Sequence, residues 1–312
     1  MPEPPTVPAD PLLSDAAPKL TLRERLFRSD FWVAGVVRVL LYVALYKALD
    51  SGIGWLTFQW QRPRLSPLDP VLLFWQKAGG MLGAFSAALL LAVMEKRRPG
   101  AYGLPLRGAF GKLFWQGVLA GLGEISVLMG LIAAFGGYSF GGLAVRGYEL
   151  ARWGAFWAVL FVLVGLLEEF LFRGYAQFTL STGFGFWPAA FALSAVFGAA
   201  HLANPGEGWV GALSVAMVGF LLCLTLRRTG SLWFAVGLHA SFDFGETFLY
   251  SVPNSGYVAR GHLSHATLHG PAWLTGGSVG PEGSLFSFLT MGILFYVLHR
   301  LYPPKPEAQQ NA

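Results

Sequence analysis

The sequence predicts an all-α, polytopic integral membrane protein with about eight transmembrane helices. Two observations carry this. Hydrophobic residues make up 54% of the 312 residues and charged ones only 12%, where a soluble domain carries roughly a quarter charged. Apolar runs of membrane length, about 20 residues, recur along the chain and are separated by short polar stretches.

The elements follow in order. Residues 1–30 begin with a Pro-, Ala- and Asp-rich stretch that lacks a basic lead into an apolar core. This reads as a disordered cytosolic tail rather than a cleaved signal. Spans are expected near 31–50, 71–94, 113–135, 152–180, 185–203, 208–226, 231–250 and 284–301, within a membrane domain covering 31–303. Residues 304–312 form a second cytosolic tail. Gly, Pro and His interrupt the fifth and seventh spans. With the first residue inside, Lys96, Arg97, Arg98, Arg107, Lys112, Arg227, Arg228 and Arg300 all fall on inner stretches, as do Lys19, Arg23, Arg25, Arg28 and Lys305. The outer stretches hold only Arg62, Arg64, Arg146, Arg152 and Arg260. This positive-inside asymmetry places both termini in the cytoplasm.

Several functions are disfavoured at once. Cys223 is the single cysteine, so an intrachain disulfide and a cysteine zinc cage are excluded; it reads as a small buried hydrophobe. The net charge of +5 comes from loop bias and does not mark a nucleic-acid partner. No internal repeat suggests a transporter built from paired discontinuous helices.

Charged residues inside the spans are the informative part, because each is costly at the membrane centre. The fourth span carries Glu168, Glu169 and Arg173, the fifth Phe197 and His201, and the seventh His239 and Asp243. Residues four apart share a helix face, so Glu169 pairs with Arg173. Glu168 is turned about 100° away and has no partner on its own helix, which leaves it free for a substrate, a water or a metal and suits it to act as a general base. Arg38 and Lys47 either snorkel or pair with Glu124 of the third span; Lys77 and Arg173 also fall within spans. At 1.5 Å per residue, Glu168 lies roughly 18 Å from the inner side, His201 about 24 Å, His239 about 13 Å and Asp243 about 20 Å. The three clusters can therefore meet at one level, in a site between the fourth, fifth and seventh spans.

These residues carry a resemblance. Glu168-Glu169 with Arg173, Phe197 with His201, and His239 with Asp243 match, in order, the Glu-Glu-x-x-x-Arg, Phe-x-x-x-His and His-x-x-x-Asn/Asp motifs of the CPBP group of intramembrane proteases. That group comprises the CAAX prenyl endopeptidases, their bacterial relatives and the bacteriocin-immunity-type proteins. The resemblance covers about residues 150–250, and the stretch from Arg227 to His239 is similar to bacterial members.

It implies an intramembrane endopeptidase acting on a membrane-associated or lipidated substrate, in a bacterial plasma membrane. Carried over, Glu168 activates the attacking water and His201 binds that water or a metal. His239 and Asp243 stabilise the oxyanion or complete a ligand set, while Glu169 and Arg173 hold the geometry. Two mechanisms are implied. One uses a divalent metal, zinc first, on Glu168, His201 and His239; the other is metal-free, and no His-Glu-x-x-His pair fixes two ligands on one helix. An ionised Asp243 cannot donate an amide to an oxyanion, which favours a metal or a charged His239.

The remaining polar features read blandly. His262, His265 and His269 are expected as loop histidines. The Gly- and Pro-rich stretch 274–284 is expected to form turns or a re-entrant lid. Glu246 is placed outside the site. The competing function is a non-catalytic membrane partner, such as a sorting or immunity protein, with a transporter behind it.

Overall fold

The structure, a computed structural model, describes residues 21–27, 31–61, 70–98, 102–258 and 260–304. Residues 1–20, 28–30 and 305–312 of the expected tails lie outside the described residues, as do Arg62 and Arg64. Within the amino-terminal segment a short helix forms, α1 (Leu22–Phe27). Its start is a capping box. Thr21 Oγ1 accepts the Glu24 amide at 3.2 Å, and the Glu24 carboxylate accepts the Thr21 amide at 3.1 Å.

The membrane elements are α2 (Trp32–Gln61), α3 (Pro70–Glu95), α4 (Lys112–Ala134), α5 (Gly147–Glu169), α6 (Gln177–Phe184), α7 (Phe186–His201), α8 (Trp209–Thr229), α9 (Trp233–Phe244) and, after a 4-residue α10 (Ala272–Thr275), α11 (Leu285–Leu301). Among the described residues, five helical stretches are long and apolar enough to cross a membrane, one of them Gly147–Phe184. Phe186–His201 and Leu285–Leu301 are shorter apolar helices, and α9 is prolonged by a wide π-helical turn, Gly245–Leu249. Every expected span thus appears as a helix, and the chain is an all-α multi-pass membrane protein. The helices are apolar around their circumference rather than on one stripe, as lipid requires. Leu119, Phe191 and Val93 are 72%, 71% and 69% exposed on outward faces.

Helices α4 and α9 pack closely on one another. Added to Gly121, a Cβ would strike the Leu238 carbonyl; added to Gly237, it would strike the Phe114 carbonyl. The two backbones therefore touch directly, as small residues permit between membrane helices. This seats α9, and with it His239, against α4, with α5 and α8 also packed on it.

Glu124 departs from its expected role. It is buried on α4 at 7% exposure, and among the described residues no charged side chain, Arg38 and Lys47 included, acts on it. The guanidinium of Arg38 instead donates to the Ala34 carbonyl of its own helix at 3.3 Å, and the Lys47 ammonium sits 5.2 Å from the Tyr46 ring. Sequence spacing could not show that α2 packs on α3 and α6 rather than on the Glu124 face of α4. Cys223 is buried and free, as expected.

The stretch between α9 and α11 folds into a cap. Strand β1 (Tyr138–Ser139) pairs antiparallel with β2 (Thr267–Leu268), and Leu143 bridges Ser264. The Trp157 indole donates to the Gly261 carbonyl at 3.2 Å, and the Gly256 amide to Val279 at 2.8 Å. The cap histidines have separate local contacts, His262 with the Ser264 carbonyl and His269 with the Thr267 hydroxyl. Within the cap, Glu282 is 9% exposed and faces the fully buried Glu246. Burial pushes the Glu282 carboxyl up to about 8.

The neutral carboxyl is thus the form the folded cap favours. Its contribution is complete below the ordinary value of 4.5 and is lost as pH rises towards about 8. Limited proteolysis of the cap is expected to accelerate across that window, and Glu282→Gln to flatten the dependence. Equal pH dependence in both proteins would refute this.

Candidate active site

The site starts where α5 gives way to a π-helical turn, Phe170–Ala176. Such wide turns are frequent at functional sites, and here Gly174 leaves helical geometry at φ −83°, ψ −113°, which kinks the helix. Glu169 and Arg173 still meet across it. Both are completely buried, with Arg173 Nη1 3.2 Å from Glu169 Oε1. The guanidinium also lies 4.3 Å from the Phe197 ring centroid, a cation–π contact from α7. Phe197 packs edge-on against both Phe172, at 4.9 Å, and His201, at 4.7 Å. The aromatic residue of the second motif is therefore the packing hub that joins the other side chains.

His201 ends α7. Its Nδ1 lies 2.8 Å from the Phe197 carbonyl. A carbonyl only accepts, so Nδ1 carries the proton, and a neutral ring then presents the lone pair of Nε2. His239, on α9, is held in the same manner: Nδ1 donates to Glu169 Oε1 at 2.8 Å. Its Nε2 lies 3.8 Å from Glu168 Oε2 and 3.7 Å from Asp243 Oδ2. Those separations exceed direct hydrogen bonds. Glu169 is consequently shared: one oxygen serves both Arg173 and His239.

Glu168 differs from its sequence reading. It has a cationic partner, Lys77 of α3, whose Nζ lies 3.3 Å from Oε1. Residue spacing within one helix carries no information about a partner 91 residues away. The signal was present all the same, since Lys77 and Glu168 were both uncompensated charges in different spans. Asn254 was also missed; its amide donates to the Asp243 carbonyl at 3.4 Å from the cap. It is a loop residue with no motif around it.

Glu168, His201, His239, Asp243, Lys77 and Asn254 all line one cavity of about 1000 Å³. Val36, Val39, Leu40 and Val43 of α2 supply an apolar wall of the same cavity, which Leu171 and Phe172 also line. Glu169 and Arg173 stand behind it. The expected ligands Glu168, His201 and His239 do not form a metal-holding group: among the described residues no three His, Cys, Asp or Glu side chains are so arranged. Nδ1 of each imidazole is bound to a protein acceptor, which leaves Nε2 facing the cavity, while the ammonium of Lys77 contacts Oε1 of Glu168.

One comparison with known proteins gives a match. Residues 150–245 match the family model described as Type II CAAX prenyl endopeptidase Rce1-like. No curated protein and no solved structure matches the chain. The matched stretch contains Glu168, Glu169, Arg173, His201, His239 and Asp243, and over it the chain is similar to that family of intramembrane endopeptidases.

Proposed function

We propose that the protein is an intramembrane endopeptidase that hydrolyses a peptide bond of a membrane-associated or lipidated substrate. The observation that carries this reading is the shared cavity: a carboxylate, two oriented imidazoles and an apolar wall face one space. Glu168 Oε2 and the bare Nε2 of His201 hold the attacking water, and Glu168 takes its proton as oxygen bonds to the scissile carbonyl carbon. His239, with carboxylates beside both nitrogens, donates from Nε2 to the oxyanion. The proton on Glu168 then passes to the leaving amine as the C–N bond breaks. Asp243 and Glu169 orient His239 from its two sides. The metal-assisted alternative, zinc on Glu168, His201 and His239, needs those donors to converge, which in the present arrangement they do not.

The apolar wall from α2 suits a lipid chain or the side chains of a membrane peptide. The positive-inside asymmetry supports cytoplasmic termini, and the similarity of the stretch before His239 to bacterial members supports a bacterial plasma membrane. Peptidomics of membranes carrying the wild type, Glu168→Ala or His201→Ala tests the function. Cleavage products confined to the wild type are expected. The same products from all three would leave the non-catalytic partner as the better reading.

A further inference from the structure

We propose that Lys77 is the positioning residue of this site: its ammonium fixes Glu168 through Oε1, aims Oε2 at His239, and occupies the place a metal ion would need. The inference rests on the peptidase reading for its catalytic half only. Lys77 comes from α3, outside the stretch that carries the recognised motifs. Its side chain is 34% exposed and that of Glu168 20%, and both line the cavity. The pair thus faces the space where a substrate would lie.

Charge balance supports the assignment. Glu168, Glu169 and Asp243 bring three carboxylates into one buried region. Arg173 is committed to Glu169, and the imidazole nearest Glu168 lies at 3.8 Å. Lys77 is the cation in direct contact with the proposed base. In a membrane interior an unpaired carboxylate is strongly disfavoured, so Lys77 allows Glu168 to be a carboxylate there. A compact ammonium does this without a fixed coordination geometry. It also repels a dication approaching the same oxygen, which accounts for donors of the right types that do not converge as ligands.

The test compares wild type, Lys77→Met, Lys77→Gln and Lys77→Arg in lipid nanodiscs, with zinc affinity and peptide cleavage read separately. Removing the ammonium is expected to tighten zinc binding at least about tenfold, within the range that neighbouring groups exert on metal affinity. Adding Glu168→Gln to Lys77→Met should abolish that gain. In cleavage, the Met and Gln variants should lose about 100-fold in kcat, with KM changed by less than about threefold. Arg should restore most of the rate and keep zinc out. Wild type that binds zinc as tightly as the Met and Gln variants, or an Arg variant no better than Met, would overturn the proposal. The zinc measurement needs no turnover. If no variant cleaves, wild type included, the peptidase reading fails while the role of Lys77 is still decided.

Discussion

Glu168→Gln is expected to lower the kcat for peptide hydrolysis by about 10²–10⁴-fold, the usual contribution of a positioned general base. The protein should remain folded. An amide keeps the shape of the carboxylate and can still accept a hydrogen bond from Lys77, but it cannot take a proton from water. The stability change should be small because Glu168 and Lys77 face the cavity at 20% and 34% exposure, so their ion pair is partly screened. KM should move little, since the apolar wall of Val36, Val39, Leu40 and Val43 is untouched. Steady-state kinetics in nanodiscs, with a thermal melt of each protein, measures all three quantities. Retained kcat in Glu168→Gln would remove Glu168 from the mechanism, and loss of the fold would make it a structural residue.

Much of this arrangement is legible in the sequence because membrane insertion penalises charge so heavily. Glu168, Glu169, Arg173, His201, His239 and Asp243 stand out from apolar surroundings, and period-four spacing assigns Glu169 to Arg173 correctly. Helical rise brings the three clusters to one depth, and they do meet around one cavity. What fails is anything that depends on which helices touch. The Lys77–Glu168 pair, the distance of Arg38 and Lys47 from Glu124, and the apolar wall supplied by α2 are all tertiary facts. So is the sharing of Glu169, which spacing gives to Arg173 alone although His239 reaches the same oxygen. The glycines and prolines of 274–284 predict only turns or a re-entrant lid. The cap's ordered backbone contacts include pairing with residues 138–143 far upstream, and the turn that brings Asn254 to Asp243 is closed by the bridge from Asn254 to Tyr257.

Arg173→Met should have the largest effect on stability, about 3–5 kcal/mol, because it leaves the Glu169 carboxylate buried without its cation. The cation–π contact with Phe197 adds to the loss. Glu169→Gln should be milder, since the amide oxygen still accepts from both Arg173 and His239. The informative protein is the double variant Glu169→Leu with Arg173→Met. Replacing a buried pair by apolar groups of similar size is often close to neutral, so it should melt well above Arg173→Met alone. It should nevertheless stay inactive, because His239 Nδ1 has lost the acceptor that fixes the ring. Stability recovered without activity would separate the two duties of Glu169, pairing with Arg173 and orienting His239. Activity returning together with stability would show that the pair only holds the helices and that His239 needs no acceptor behind it. Thermal melts and kcat on the same preparations decide between these outcomes.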